Sequence, residues 1–221
     1  MRFQHKGFTL IELLVVITIM AIMALIALPN MSQWLAARRV AGQAEQVANL
    51  LRFARAEAVR LNAPVYVCPV QIRADGNPDN YCNTTYSGQG LGAFADVDRN
   101  NAYGRATNDV ALRAIVLNAA NRDDMVDYTF ETYNFAGART GTNQVWAFAP
   151  SGSFATMEVL GGAQNVADGF VKISMTDARA ADDQARAKRA SVVLLDSSGR
   201  ASVCDRRDER DLCKFRAATG D

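Results

Sequence analysis

The chain has 221 residues, 49% of them hydrophobic and 21% charged, with 24 basic side chains against 23 acidic ones and a formal net charge of +1. That balance excludes a bulk binder of nucleic acid or of an anionic membrane surface, and it leaves enough apolar chain for one domain with a real core. The only histidine, His5, stands near the N-terminus, so Ser-His-Asp and Cys-His catalysis and histidine-ligated zinc are excluded from everything after it.

Residues 1–7 (MRFQHKG) are short and basic through Arg2 and Lys6. From Phe8 to Leu28 the chain is almost entirely apolar, and Glu12 is the only ionisable side chain there. As a helix this run spans about 31 Å, the thickness of a bilayer's hydrocarbon core. A carboxylate in such a helix costs on the order of 3 kcal/mol at the centre and less near the edge, so Glu12 needs a partner. The run is too long for the apolar core of an ordinary secretory signal. The sequence therefore predicts a transmembrane helix over 8–28, with the basic end in the cytoplasm and the rest in the periplasm.

These residues, GFTLIE with its basic prefix, resemble the class III leader of type IV prepilins and type II secretion pseudopilins. The resemblance implies that 1–7 is a cleaved leader, that a prepilin peptidase cuts between Gly7 and Phe8, and that Phe8 is N-methylated. Glu12 then becomes the fifth residue and Pro29 the twenty-second, where pilin helices commonly carry a kinking proline. In a filament, Glu12 would neutralise the new amine of a neighbouring subunit and set the register of the helices.

Beyond Pro29 an amphipathic stripe continues at steps of four and three through Val40, Ala44, Val47, Leu51, Ala54, Ala58 and Leu61. Asn62-Ala63-Pro64 marks its end. Residues 29–61 are thus read as the periplasmic half of one long helix. Its flank carries Arg38, Arg39, Arg52, Arg55 and Arg60 against Glu45 and Glu57, a face that reads either as simply solvated or as a contact for acidic surfaces of neighbouring subunits. Trp34 reads as an interfacial anchor.

After Pro64, short apolar runs alternate with turn residues. They predict strands at 65–72, 91–97, 112–117, 126–135, 145–148, 154–159, 170–175 and 191–195, with a short helical turn inside 179–189. Trp146 reads as core. The fold class is α+β: a long N-terminal helix, its first half transmembrane, packed on an antiparallel β-sheet domain over 62–221. Cys68, Cys82, Cys204 and Cys213 all lie on the oxidising side of the membrane, where an even number of cysteines forms disulfides. Three pairings are possible, and the two sequence-local loops, Cys68–Cys82 and Cys204–Cys213, are favoured.

Four local patterns narrow the resemblance. Residues 51–60 (LRFARAEAVR) are similar to the "LxxARxEAxxR" helix end of the GspH/FimT group of type IV pilin-like minor pilins. Residues 92–100 (GAFADVDRN) resemble that group's "GWxVFxDxNxN" strand and turn, with Ala93 in place of tryptophan. Residues 148–154 and 192–200 resemble its F-x-x-x-G turn and its closing V-x-L-x-x-x-G-R hairpin. The cysteine-bearing tail looks most like FimU-type minor pilins. The resemblance implies a structural, tip-associated priming subunit of a type IV pilus, with other minor pilins, the major pilin, the prepilin peptidase and the inner membrane as partners.

It also raises two alternatives, a type II secretion minor pseudopilin and a pilus-borne DNA receptor for DNA uptake. The DNA contact would fall to Arg200, Arg206, Arg207 and Arg210, although Asp205, Asp208, Glu209 and Asp211 interleave with them and weaken the counterion-release drive. Asp96-Val97-Asp98-Arg99-Asn100 begins like a calcium loop but lacks the glycine at its sixth position and the glutamate at its twelfth, Thr107. The carboxylate pairs Asp96/Asp98 and Asp127/Glu131 are the only hydrolytic candidates, and nothing in the sequence converges them. No catalytic, cofactor or metal site and no small-molecule substrate is read, so the protein is expected not to be an enzyme.

Overall fold

The computed structural model describes residues 9–104, 108–118, 126–166, 169–205 and 207–216, with the side chains of 26–30 excepted. Gly7, Phe8 and Arg206 lie outside the described residues. One helix, α1 (Leu10–Leu61), opens the chain and runs through Pro29. Among the described residues, twelve strands follow: β1 (Val65–Ile72), β2 (Pro78–Tyr81), β3 (Gly90–Ala95), β4 (Val110–Val116), β5 (Val126–Asn134), β6 (Arg139–Gly141), β7 (Val145–Phe148), β8 (Phe154–Met157), β9 (Asn165–Val166), β10 (Gly169–Asp177), β11 (Ser191–Asp196) and β12 (Ala201–Val203). A second helix, α2 (Asp183–Arg189), joins β10 to β11.

The chain divides into two units, Met1–Ala36 and Ala37–Asp221. In the first, the described side chains of α1 from Leu10 to Leu25 are exposed on every face. Leu10 is 81% exposed, Met23 66% and Leu25 74%, and Ile11, Leu13, Ile17, Met20 and Ile22 are all exposed. A helix that is apolar on every side belongs in a non-aqueous environment, not against one core.

In the second unit the same helix changes character. Val40, Ala44, Val47, Leu51, Ala54 and Ala58, each placed by its spacing, are buried, and Ala37, Ala48 and Leu50 join them. The side chains that meet this stripe come from two antiparallel sheets. The first has the order β4-β3-β1-β7-β8-β9, with β2 also on β1, and the second has the order β12-β11-β10-β5-β6. Strand alternation sorts the residues: Val65 and Val67 of β1 and Val171, Ile173 and Met175 of β10 share the helix-facing core, with Trp146 and Phe148 of β7. The opposite face of the first sheet carries a second cluster around Tyr66, Cys68 and Phe94, and that of the second sheet a third around Val192, Leu194 and Cys213.

Local chemistry sets the boundaries. Asn62 ends α1 in the left-handed region at φ 51°, as a residue just past a helix end commonly does. Strand β3 stops at Ala95, two residues before the predicted end, because the Asp96 carboxylate accepts N–H groups from Asn100 and Asn101 and turns the chain. On one edge of β1, β7 pairs with Val65–Val67 and β2 with Val70–Ile72. Pro69, which has no N–H to donate, falls between the two. Strands β2, β6, β9 and β12 stand outside the predicted set: each is only two to four residues long, too short to show an apolar run of its own. Helix α2 is capped by Asp182, which accepts from the Ala185 N–H at 2.7 Å.

Ala54 is fully buried where α1 crosses the sheets. Ala54→Leu is expected to lower the unfolding free energy of the full chain in detergent by about 1–3 kcal/mol, the cost of overpacking a filled core. Urea denaturation followed by Trp146 fluorescence measures it, and an unchanged midpoint would show that the stripe is loosely packed.

Candidate functional site

The first candidate is the start of α1. Thr9 accepts the Glu12 N–H through its Oγ1 at 3.3 Å, and its carbonyl accepts the Leu13 N–H at 3.2 Å, so the helix begins on a Thr-x-x-Glu sequence of the capping-box type. Glu12 is exposed, with Leu10, Ile11, Leu13 and Leu14 around it. It is the lone charge on an apolar surface. Among the described residues, no helix is long and apolar enough to cross a membrane. The described side chains cover the apolar run only from Thr9 to Leu25. Trp34, 55% exposed, lies one unit short of the domain.

The second candidate is the tail. Both favoured disulfides are present, Cys68–Cys82 and Cys204–Cys213. Cys68–Cys82 fastens the β1–β2 hairpin, with Cys82 in the left-handed region at φ 58°. Cys204–Cys213 closes a loop against the outer face of the second sheet, where the Cys204 N–H donates to the Val192 carbonyl at 2.8 Å.

Beneath this loop sits Lys172, 1% exposed, whose Nζ donates to the Lys214 carbonyl at 2.7 Å. Burial pushes the Lys172 ammonium below its ordinary pKa, and Glu131, its cross-strand neighbour, works in the other direction. The lysine therefore ties the tail backbone to β10. Alternation along 171–176 puts Lys172 on the far side of the sheet from the helix, but nothing in the sequence says that the tail will cover it.

The charges of the tail are largely matched within it. Arg210 grips Asp208 through Nε and Nη2 at 2.6–3.0 Å, and Lys214 reaches Asp211 at 2.9 Å. Arg207 is exposed, and its N–H donates to Asp205. Arg200 stands apart from these, on the β11–β12 turn, where its N–H donates to Asp196.

The carboxylate candidates divide. Asp96 and Asp98 come together, and Asp109 joins them, with oxygens all within 4.8 Å of one another. Each oxygen of the two buried acids has a backbone donor: Asp96 takes Asn100 and Asn101, and Asp109 takes Val97 and Gly104, at 2.9–3.1 Å. Burial pushes the Asp96 carboxyl up, the Asn101 N–H pulls it down, and Asp98 and Asp109 reinforce the rise. This arrangement holds a loop together. Asp127 and Glu131 are engaged separately, by Arg186 at 4.0 Å and Arg139 at 3.3 Å.

Two family models match this chain. The prokaryotic N-terminal methylation motif matches residues 2–28, and type II transport protein GspH matches residues 43–169. The chain belongs to the GspH family. The GspH match begins inside the buried stripe of α1 and ends at the first residue of β10. No curated protein matches the chain. Two crystal structures of the Pseudomonas aeruginosa type IV minor pilin FimU are similar to it at 11% identity. One has a TM-score of 0.45 and covers 79% of this chain and 94% of that one; the other has a TM-score of 0.43 and covers 76% and 94%.

Replacing Cys204 and Cys213 together by serine is expected to cost about 2–3 kcal/mol of stability, the loop-closure value for a ring of this size. It is also expected to free the tail from Lys172. Limited trypsin digestion reads the second effect: cleavage at Arg207 and Arg210 should accelerate in the double variant, and an unchanged rate would show that the Lys172 contact holds the loop unaided.

Proposed function

We propose that this member of the GspH family is a minor pilin, a structural and assembly subunit of a type IV pilus that primes the filament near its tip. Residues 8–28 anchor it in the inner membrane, the prepilin peptidase cuts between Gly7 and Phe8, and Phe8 is methylated. The helix then passes from lipid into the filament core beside the major pilin and other minor pilins.

One observation carries this reading: Glu12 is the single charge on the apolar first half of α1, inside a matched methylation motif. Both lipid and a bundle of like helices bury that surface, so the transfer costs little hydrophobic free energy. The carboxylate decides the difference. Unpaired it is penalised, whereas beside the cationic amine of a neighbour's Phe8 it is matched. The pair thus favours the filament and fixes its register.

The family's description as a type II transport protein supports a second reading, a minor pseudopilin of a secretion system. The helix works identically in both. Deletion of the gene separates them: loss of pili and twitching supports the pilus, and loss of exoprotein export with pili intact supports the pseudopilus.

Glu12→Ala is expected to leave cleavage after Gly7 unchanged, as read by intact mass, and to lower incorporation into sheared filaments by roughly tenfold or more, the effect of an unmatched charge of a few kcal/mol. Wild-type incorporation of a cleaved Glu12→Ala chain would refute the pairing, and a native polypeptide starting at Met1 would refute the pilin reading.

A further inference from the structure

An open groove of about 730 Å³ lies in the globular unit, bounded by the last turns of α1 and by the β7–β8 and β11–β12 turns. Three arginines line it, Arg52, Arg55 and Arg200, over an apolar floor that includes Ala56 and Val59. Val59, a large aliphatic side chain, is left open to water at 56% exposure.

Each of the two turns bends at a glycine. Gly152 and Gly199 have φ of +80° and +75°, which L side chains rarely adopt. A Cβ at Gly152 would stand 3.8 Å from Arg55 Nη2 and 4.0 Å from Val59 Cγ2, inside the groove. Arg52 is fixed in place, its Nε donating to the Ala201 carbonyl at 3.0 Å and its Nη1 to Asn49 Oδ1 at 2.9 Å.

Among the described residues, none of these three guanidinium groups has a carboxylate within ion-pair distance. The two nearby acids are already engaged. Glu57 is held by Arg60 at 2.6 Å, and Asp196 accepts from Ser198 Oγ and from the Ser198 and Arg200 N–H groups. Asp196 is nevertheless held below its usual carboxylate range: burial opposes this, but the Ser198 hydrogen bond, the two N–H donors and the Arg200 charge together prevail.

We propose that this groove docks an extended segment of a neighbouring subunit that carries at least two carboxylates beside an apolar side chain. The guanidinium fork matches a carboxylate in two parallel hydrogen bonds, and the Ala56–Val59 floor takes the apolar side chain. Nucleic acid fits less well: the groove offers no aromatic platform for a base, and Asp205, Asp208, Glu209 and Asp211 interleave the cations of the tail. The proposal rests on the filament reading for the source of the segment and on the groove alone for its chemistry.

The test places a photoreactive benzoylphenylalanine at Ser151, an exposed residue on the lip, in the full chain expressed in its native host. The expected result is a crosslink that maps by mass spectrometry to a segment with two or more Asp or Glu beside an apolar residue. Arg55→Gln with Arg200→Gln, shown to fold by an unchanged Tm, should lower its yield by about tenfold or more, the loss of one to two charge-assisted hydrogen bonds. A crosslink to a neutral or basic segment, one insensitive to the glutamines, one to nucleic acid, or none from a processed chain overturns the proposal. Intact mass of the same samples judges the filament reading separately: a start at Met1 would refute that reading, and the crosslink would still decide the groove.

Discussion

The small-residue stripe of α1 is the contact on which the rest of the molecule depends. Ala44, Ala48, Ala54 and Ala58 bury completely, and their size lets a helix backbone approach two sheets at once. Neither sheet has a closed core of its own on its helix-facing side. Val65 and Val67 from one and Val171, Ile173 and Met175 from the other share a single apolar interior with the helix, and Phe130 of the second sheet meets Trp146 of the first at 5.5 Å between ring centroids. The helix is therefore a structural member of the globular unit from Ala37 onward, and the same rod is bare from Leu10 to Leu25.

Those two halves need different surroundings. The domain half has one apolar stripe and a polar flank, the pattern of a helix at a protein surface. The bare half has no polar flank, only Glu12 in its first turn. Under the proposed function a membrane and then a bundle of similar helices take up the bare half, while two disulfides and the Lys172–Lys214 tie hold the domain closed at its outer faces. In the proposed function the chemistry of assembly is thereby confined to one end of the helix, and the recognition of neighbours is left to the exposed arginines at the other.

Much of this was legible in the sequence because it is periodic. The stripe Val40–Ala58 announces itself at helical spacing, and β1 and β7 lie where their apolar runs place them, to the residue. The favoured disulfide pairing is also the one present. What was not legible depends on contacts distant in sequence. Strands β2, β6, β9 and β12 carry little apolar signal of their own. Asp109 joins Asp96 only after the chain has turned back on itself, and Lys172 is buried by a tail whose Lys214 carbonyl lies 42 residues further on. Likewise, Arg200 reads as the first cation of the tail, yet the fold sets it across a groove from Arg52 and Arg55.

One helix thus has an exposed apolar half and a domain-facing half. Carbene footprinting of the full chain in lipid bilayers, with a lipid-soluble diazirine, tests it most directly. It should label every face of Leu10–Leu25 and leave Val40, Ala44, Val47, Leu51, Ala54 and Ala58 unlabelled. Labelling confined to one face of the first half, or absent from it, would contradict this picture, because some other surface would then be covering the helix.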